Sequence, residues 1–142
     1  MELVCPHCLA VNRVPEDRLA DAPVCGRCHA PVLSAAPVAL DMASFDKFTT
    51  RNGLPVVVDF WADWCGPCKA MAPVFERSAR EHAHRVRFAK LDTEAHGAIA
   101  GRLGIRSIPT LILFQGGREK ARVSGAMDGN SLSRWIAQAT AA

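Results

Sequence analysis

Residues 56–69 read Val56-Val57-Val58-Asp59-Phe60-Trp61-Ala62-Asp63-Trp64-Cys65-Gly66-Pro67-Cys68-Lys69. The first six are β-branched and aromatic in a nearly continuous apolar run, the pattern of a strand buried on both faces. A helical pattern follows Cys65, with Met71, Val74, Phe75, Ser78, Ala79 and His82 on one side, and runs to about His84. Pro67 falls in its first turn, where a missing N–H costs nothing. Pro73 falls inside it, removes one backbone hydrogen bond and predicts a kink. Two thiols therefore sit where a buried strand feeds a helix N-terminus. The unpaired N–H groups and partial positive charge there stabilise a thiolate. Disulfide exchange needs one thiolate to attack and a second thiol to resolve the mixed disulfide. Cys65, at the helix end, is predicted to be the exposed nucleophile, and Cys68, one turn in, the more buried resolving thiol. The plainer readings are a third metal knuckle or two core cysteines, and a knuckle would need two further ligands.

Asp59 interrupts the apolar run and alternates with Val58 and Phe60. If buried, its carboxylate is costly, its pKa is raised by desolvation, and it could accept and return the proton of Cys68. If the strand lies at a solvated edge, it is an ordinary surface acid. Lys90, in the predicted strand Val86–Leu91, could pair with it or be plainly solvated. Trp61 and Trp64 flank the thiols and could shield them, offer an apolar docking surface or simply pack.

The N-terminal third repeats the Cys-x-x-Cys spacing twice, as Cys5-Pro6-His7-Cys8 and Cys25-Gly26-Arg27-Cys28, with a spacing typical of zinc sites. Each pair puts two sulfurs on one side of a tight turn, and two turns can close a tetrahedral four-sulfur site. Residues 1–30 carry too few large apolar side chains for a core of their own, so metal binding would supply the missing folding energy. Four protein sulfurs leave no open position, which makes one structural rather than catalytic zinc ion the expectation. His7 and His29 could substitute as ligands or face solvent. Ala30–Pro37 has the composition of a short linker.

The 142 residues suit one ordinary domain plus a small module, and a 49% hydrophobic fraction is enough for a core. No run of 18 apolar residues occurs, so no membrane span is expected. The N-terminus has no basic segment followed by an apolar stretch, which makes the cytoplasm the expected compartment. There, six cysteines argue for metal and redox chemistry rather than a disulfide framework. A net charge of +3 and the absence of aromatic residues among the basic ones give no case for nucleic acid.

Elsewhere the sequence predicts a strand at Val38–Leu40 and a helix over about Phe45–Asn52, capped by Asp41 or Ser44. A short helix Glu94–Leu103 is ended by Gly104. A strand Thr110–Phe114, a turn Gln115–Arg118 and a returning strand Lys120–Ser124 form a hairpin. Asp128 to Asn130 caps a last helix over Ser131 to about Thr140, with Leu132, Trp135 and Ile136 inward. The order β-α-β-α-β-α-β-β-α implies an α/β fold, a mixed central sheet with helices on both faces.

Residues from about 35 to 141 closely resemble the thioredoxin family. The resemblance is carried by Trp61-Ala-Asp-Trp64-Cys65-Gly-Pro-Cys68-Lys69, Ala89-Lys90-Leu91-Asp92, Gly104-Ile-Arg-Ser-Ile108-Pro109-Thr110, Phe114 through Gly117, and Gly125. The two N-terminal cysteine pairs resemble those of the zinc-carrying bacterial thioredoxin-2 type. The resemblance implies a thioredoxin domain over 32–142 preceded by a zinc-ribbon-like module over 1–31, with Cys5, Cys8, Cys25 and Cys28 as metal ligands. It implies a protein-disulfide reductase that forms a Cys65–Cys68 disulfide, with Asp59 in proton transfer and Lys90 as its neighbour. It also implies a cis bond before Pro109, an Ile108 backbone that pairs with an extended substrate, and Gly125 allowing close approach of a partner. Trp64, Gly66 and Pro67 complete the implied substrate surface. Gly66-Pro67 matches reducing members of the family. The implied partners are thioredoxin reductase and disulfide-containing proteins, with no bound organic cofactor and a monomeric state. Two rival readings remain at this level: a zinc-based redox sensor or binding module, and a disulfide oxidase or isomerase on the same fold.

Overall fold

The computed structural model describes residues 1–141. Its centre is a five-stranded sheet in the order β3 (Val38–Ala39), β5 (Arg87–Asp92), β4 (Val56–Trp61), β6 (Thr110–Gln115) and β7 (Arg118–Ser124). The first three strands run parallel, and β6 and β7 are antiparallel to their neighbours. The β-branched run takes the middle position, and every residue from Val56 to Phe60 is buried. Val56, Val58 and Phe60 pack with Leu40, Phe45, Phe48, Ile99 and Ile112 on the face of α1 (Phe45–Thr50) and α3 (Gly97–Arg102). Val57 faces the other way, into Met71, Phe75 and Ala79 of α2 (Gly66–Glu81) and Leu132 and Ile136 of α4 (Gly129–Ala141). The alternation of a strand thus divides one run between two apolar layers.

The turn residues act as their chemistry requires. Gly116 and Gly117 adopt φ +60° and +80° in the β6–β7 turn, the left-handed values of the tight hairpin turn that suits strand twist. Asp128 caps α4 by accepting the Ser131 N–H at 2.8 Å. Asp41 accepts the N–H groups of Ala43 and Ser44, and Ser44 occupies the N-cap position of α1.

Two helices differ from expectation in their bounds. The helix over residues 66–81 stops short of His84, because His82 leaves helical geometry and the chain turns into β5. Pro73 lies inside this helix, as its place in the sequence implies. Residues 94–96, expected in the third helix, form a turn in which Asp92 accepts the N–H groups of Glu94 and Ala95.

The N-terminal residues do not hang free. β1 (Glu2–Val4) and β2 (Val11–Arg13) form a hairpin, followed by a single 3-10 turn at Glu16–Arg18. Leu3, Val14 and Leu19 are buried together with Val32 and Leu54, so this small core borrows side chains from beyond residue 30. Val32, in the segment read as linker, is fully buried. The hairpin sits against the chain between α1 and β4, where the Gly53 N–H donates to Glu2 O at 2.7 Å. That contact adjoins the N-terminal end of β4, and the thiol pair follows its C-terminal end. About 16 Å of strand separates the two.

Candidate functional site

β4 ends at Trp61, and the chain turns once before α2 begins. Cys65 is the N-cap residue of α2 in extended geometry, with Pro67 just inside the helix. A disulfide joins Cys65 to Cys68, whose Cα atoms are 5.3 Å apart. The Cys68 N–H points at Cys65 Sγ from 3.1 Å. A helix-terminal N–H aimed at this sulfur favours its thiolate. The expected contrast in exposure is not present in this oxidised pair: both cysteines are 3% exposed. The bridge ties the sulfurs together, and the Ile108 carbonyl lies 3.7 Å from Cys65 Sγ. What distinguishes the two is the cap position and the direction of the Cys68 N–H.

The Ile108–Pro109 bond is cis. Gly125, at φ +101°, donates its N–H to Pro109 O at 2.9 Å. Beside this loop lies a groove of about 190 Å³, lined by Trp64, Thr93, Ala100, Ile105, Arg106, Ser107 and Ile108. Trp64 is 69% exposed, an unusual state for so large an apolar side chain. Its indole N–H donates to Glu94 at 2.8 Å.

Asp59 lies behind the pair and is buried. It shares a cavity of about 110 Å³ with Trp61, Cys68, Phe75 and Lys90. Burial pushes its carboxyl up to about 7, and the opposing pull of Lys90 is smaller. Asp59 Oδ1 and Trp61 Nε1 are buried without a hydrogen-bond partner among the described residues. Lys90 is the direct cross-strand neighbour of Asp59. Its ammonium sits 5.7 Å from the centre of the Trp61 ring, and among the described residues no ion pair joins it to Asp59.

At the other end of the molecule, Cys5, Cys8, Cys25 and Cys28 bring their sulfurs within 4.8 Å of one another. Cys5 and Cys28 approach to 3.5 Å, and Cys8 and Cys25 to 3.6 Å. A tetrahedral zinc site with Zn–S bonds of ~2.3 Å sets its sulfurs about 3.8 Å apart. The two knuckles are built alike. Leu9 and His29 donate their N–H groups to Cys5 O and Cys25 O, and both adopt positive φ. The backbone N–H of Cys28 and the Asn12 amide bring Cys25 down to about 5. At Cys28 the Ala30 N–H favours the thiolate, but burial and the three neighbouring sulfurs outweigh it and push the thiol up to about 12. Four sulfurs this close cannot all ionise without a cation, so the donor set fits a thiophilic divalent metal. His7 and His29 lie outside this cluster.

Comparison with known proteins matches the same two parts. The family described as Thioredoxin matches residues 36–138. The chain belongs to the thioredoxin family. The family described as Thioredoxin 2, N-terminal, a zinc ribbon, matches residues 4–30. Thioredoxin C-3 of Corynebacterium nephridii is 46% identical over 138 residues, covering 97% of this chain and 94% of that protein. Thioredoxins of Synechocystis and Rickettsia felis are 43% and 42% identical, over 71% and 66% of the chain and 94% and 90% of their own lengths. This thioredoxin is therefore a protein-disulfide reductase with a zinc-ribbon-like module ahead of the thioredoxin fold. Among its described residues no helix is long and apolar enough to cross a membrane.

Sequence reading missed Asn12, whose amide donates to Cys25 Sγ at 3.4 Å and whose carbonyl accepts the Gly26 N–H. It missed Glu94 as the partner of Trp64, and it missed Arg87 and Asn52, which hold the module. None of these has a local signature, because each bond joins residues far apart in the chain.

Proposed function

We propose that this thioredoxin reduces protein disulfides in the cytoplasm through an ordered pair of exchanges. The Cys65 thiolate attacks one sulfur of a target disulfide and forms a mixed disulfide, and the other target sulfur leaves as a thiolate. Cys68 passes its proton to the Asp59 carboxylate by way of the shared cavity and attacks Cys65 Sγ. The Cys65–Cys68 bond forms and the second target sulfur leaves. Two electrons have then moved from the thiol pair to the target, and a thioredoxin reductase restores them. Lys90 moderates the proton affinity of Asp59. Trp64, Gly66, Pro67, the Ile108 backbone, Pro109 and Gly125 form the surface on which an extended target segment lies.

The observation that carries this reading is Cys65 at the cap of α2 with the Cys68 N–H 3.1 Å from its sulfur. The Asp59 carboxyl, held near neutrality by burial, suits proton exchange at physiological pH. Residues 1–31 form a module, its small core completed by Val32 and Leu54, in which Cys5, Cys8, Cys25 and Cys28 hold one structural zinc. That ion supplies folding energy and takes no part in the exchange. The protein acts as a monomer and needs no bound organic cofactor.

The test is trapping. Cys68→Ser should accumulate mixed disulfides with target proteins through Cys65, and Cys65→Ser should trap none. Equal trapping by the two variants, or trapping by Cys65→Ser alone, overturns the order of attack.

A further inference from the structure

A buried cation that the exchange does not use lies between the metal module and the thioredoxin domain. Arg87 opens β5 and is 4% exposed. Its Nη1 donates to Val4 O at 3.0 Å and to Asn52 Oδ1 at 2.8 Å, and its Nη2 donates to Val32 O at 2.7 Å. The guanidinium lies over the Phe48 ring, 4.7 Å from its centre. Among the described residues no carboxylate pairs with it. A buried charge without an opposite charge is costly, and a fold keeps one only where surrounding groups compensate it.

The compensation comes from two chain segments at once. Val4 immediately precedes the first metal ligand, and Val32 closes the far side of the module core. Asn52 doubles the link: its Oδ1 accepts the Val4 N–H at 2.8 Å while its amide donates to Phe48 O at 2.7 Å. One guanidinium and one amide thus fasten the start of the first knuckle and the end of the module to α1, to the loop before β4 and to β5. Four thiolates around a divalent ion carry net negative charge, which favours a cation beside the first knuckle. Burial brings Arg87 down only to about 10, so it remains a cation at neutral pH.

We propose that Arg87, held by Asn52, is a positioning residue for the metal module, locking the first knuckle to the thioredoxin domain so that metal retention and stability of that domain become one cooperative property. Coupling of this kind is reciprocal: what the domain does for the metal, the metal does for the domain. The inference rests on the reading of the four cysteines as metal ligands.

The experiment uses the zinc-loaded full-length protein. Transfer of zinc to excess chromogenic chelator is timed for wild type, Arg87→Met and Asn52→Ala. Release should speed up at least about tenfold in each variant, the scale of one lost charge-assisted hydrogen bond. Insulin reduction should stay within about twofold of wild type, because neither residue touches the redox pair. Chelation should also lower the denaturation midpoint of the wild-type domain, and lower it less in Arg87→Met. Wild-type release rates in the two folded variants overturn the proposal. A second readout needs no variant. Stripping the metal from wild type should speed hydrogen exchange at the Gly53 amide, which donates to Glu2 O, and an unchanged rate overturns it. A wild-type chain that binds no zinc sinks the metal reading and this proposal together, whereas zinc bound but indifferent to Arg87 sinks only the proposal.

Discussion

Asp59→Asn should raise stability at alkaline pH, and the gain should disappear as pH falls. Burial holds the Asp59 carboxyl at about 7 in the folded protein, against an ordinary value of 3.8. Between these values the folded chain keeps a proton that the unfolded chain has lost. The folded state therefore binds more protons, and its stability declines as pH rises through this window, then levels off above the folded pKa. About three pH units at ~1.4 kcal/mol each make a total of about 4 kcal/mol. Asparagine is the nearest uncharged analogue of the protonated acid and does not titrate. The variant and wild type should thus be similar near pH 4 and differ by about 4 kcal/mol at pH 8. A metal site built on thiolates weakens in acid, so the useful window runs from about pH 5.5 to about 8.5, over which the difference should grow by about 2 kcal/mol. The measurement is guanidinium unfolding of oxidised, zinc-saturated protein, followed by tryptophan fluorescence at several pH values. A difference between variant and wild type that does not change with pH would refute the assignment of a raised Asp59 pKa. So would a variant less stable than wild type at pH 8.

Two further outcomes test other parts of the account. Trp64→Ala removes a side chain that is 69% exposed, so its unfolding free energy should move by less than about 1 kcal/mol. Its kcat/KM for a protein disulfide should fall several-fold while reduction of a small aromatic disulfide is unchanged, and equal losses on both substrates would argue against a docking role. Gly117→Ala forces a Cβ into φ +80° and within 3.0 Å of the Thr50 methyl on α1. It should cost about 1–3 kcal/mol in thermal or denaturant unfolding without changing the rate of disulfide reduction.

Local chemistry made much of the architecture legible. The run Val56–Phe60 could only be a strand covered on both sides, since no amphipathic pattern offers it a wet face. The glycines of the β6–β7 turn and Asp128 before α4 mark their positions because backbone geometry or capping demands those residue types. The thiol pair and the four N-terminal cysteines were legible for the same reason: two-residue spacing has few chemical uses. The end of α2 and the start of α3 were less so. The helical spacing runs on to His84, but the chain leaves the helix at His82 to reach β5, and Asp92 holds residues 94 and 95 in a turn before α3 begins.

Charged groups in apolar surroundings mark the limit of the sequence. Asp59 could have lain at a solvated edge, and only the placement of β4 between β5 and β6 buries it. Lys90 was legible as a neighbour of Asp59, but not as a cation lying over Trp61. The equal burial of Cys65 and Cys68 follows from a loop some forty residues later in the chain. Nothing local marks Arg87 in Val86-Arg87-Phe88, and it is buried because residues 4 and 32 close over it. The sequence by itself determined which atoms can do chemistry: a helix-capped dithiol and a set of four metal-binding sulfurs. The tertiary structure alone decided which charges lose their water, because desolvation depends on every segment that packs around a group and not on its neighbours in the chain.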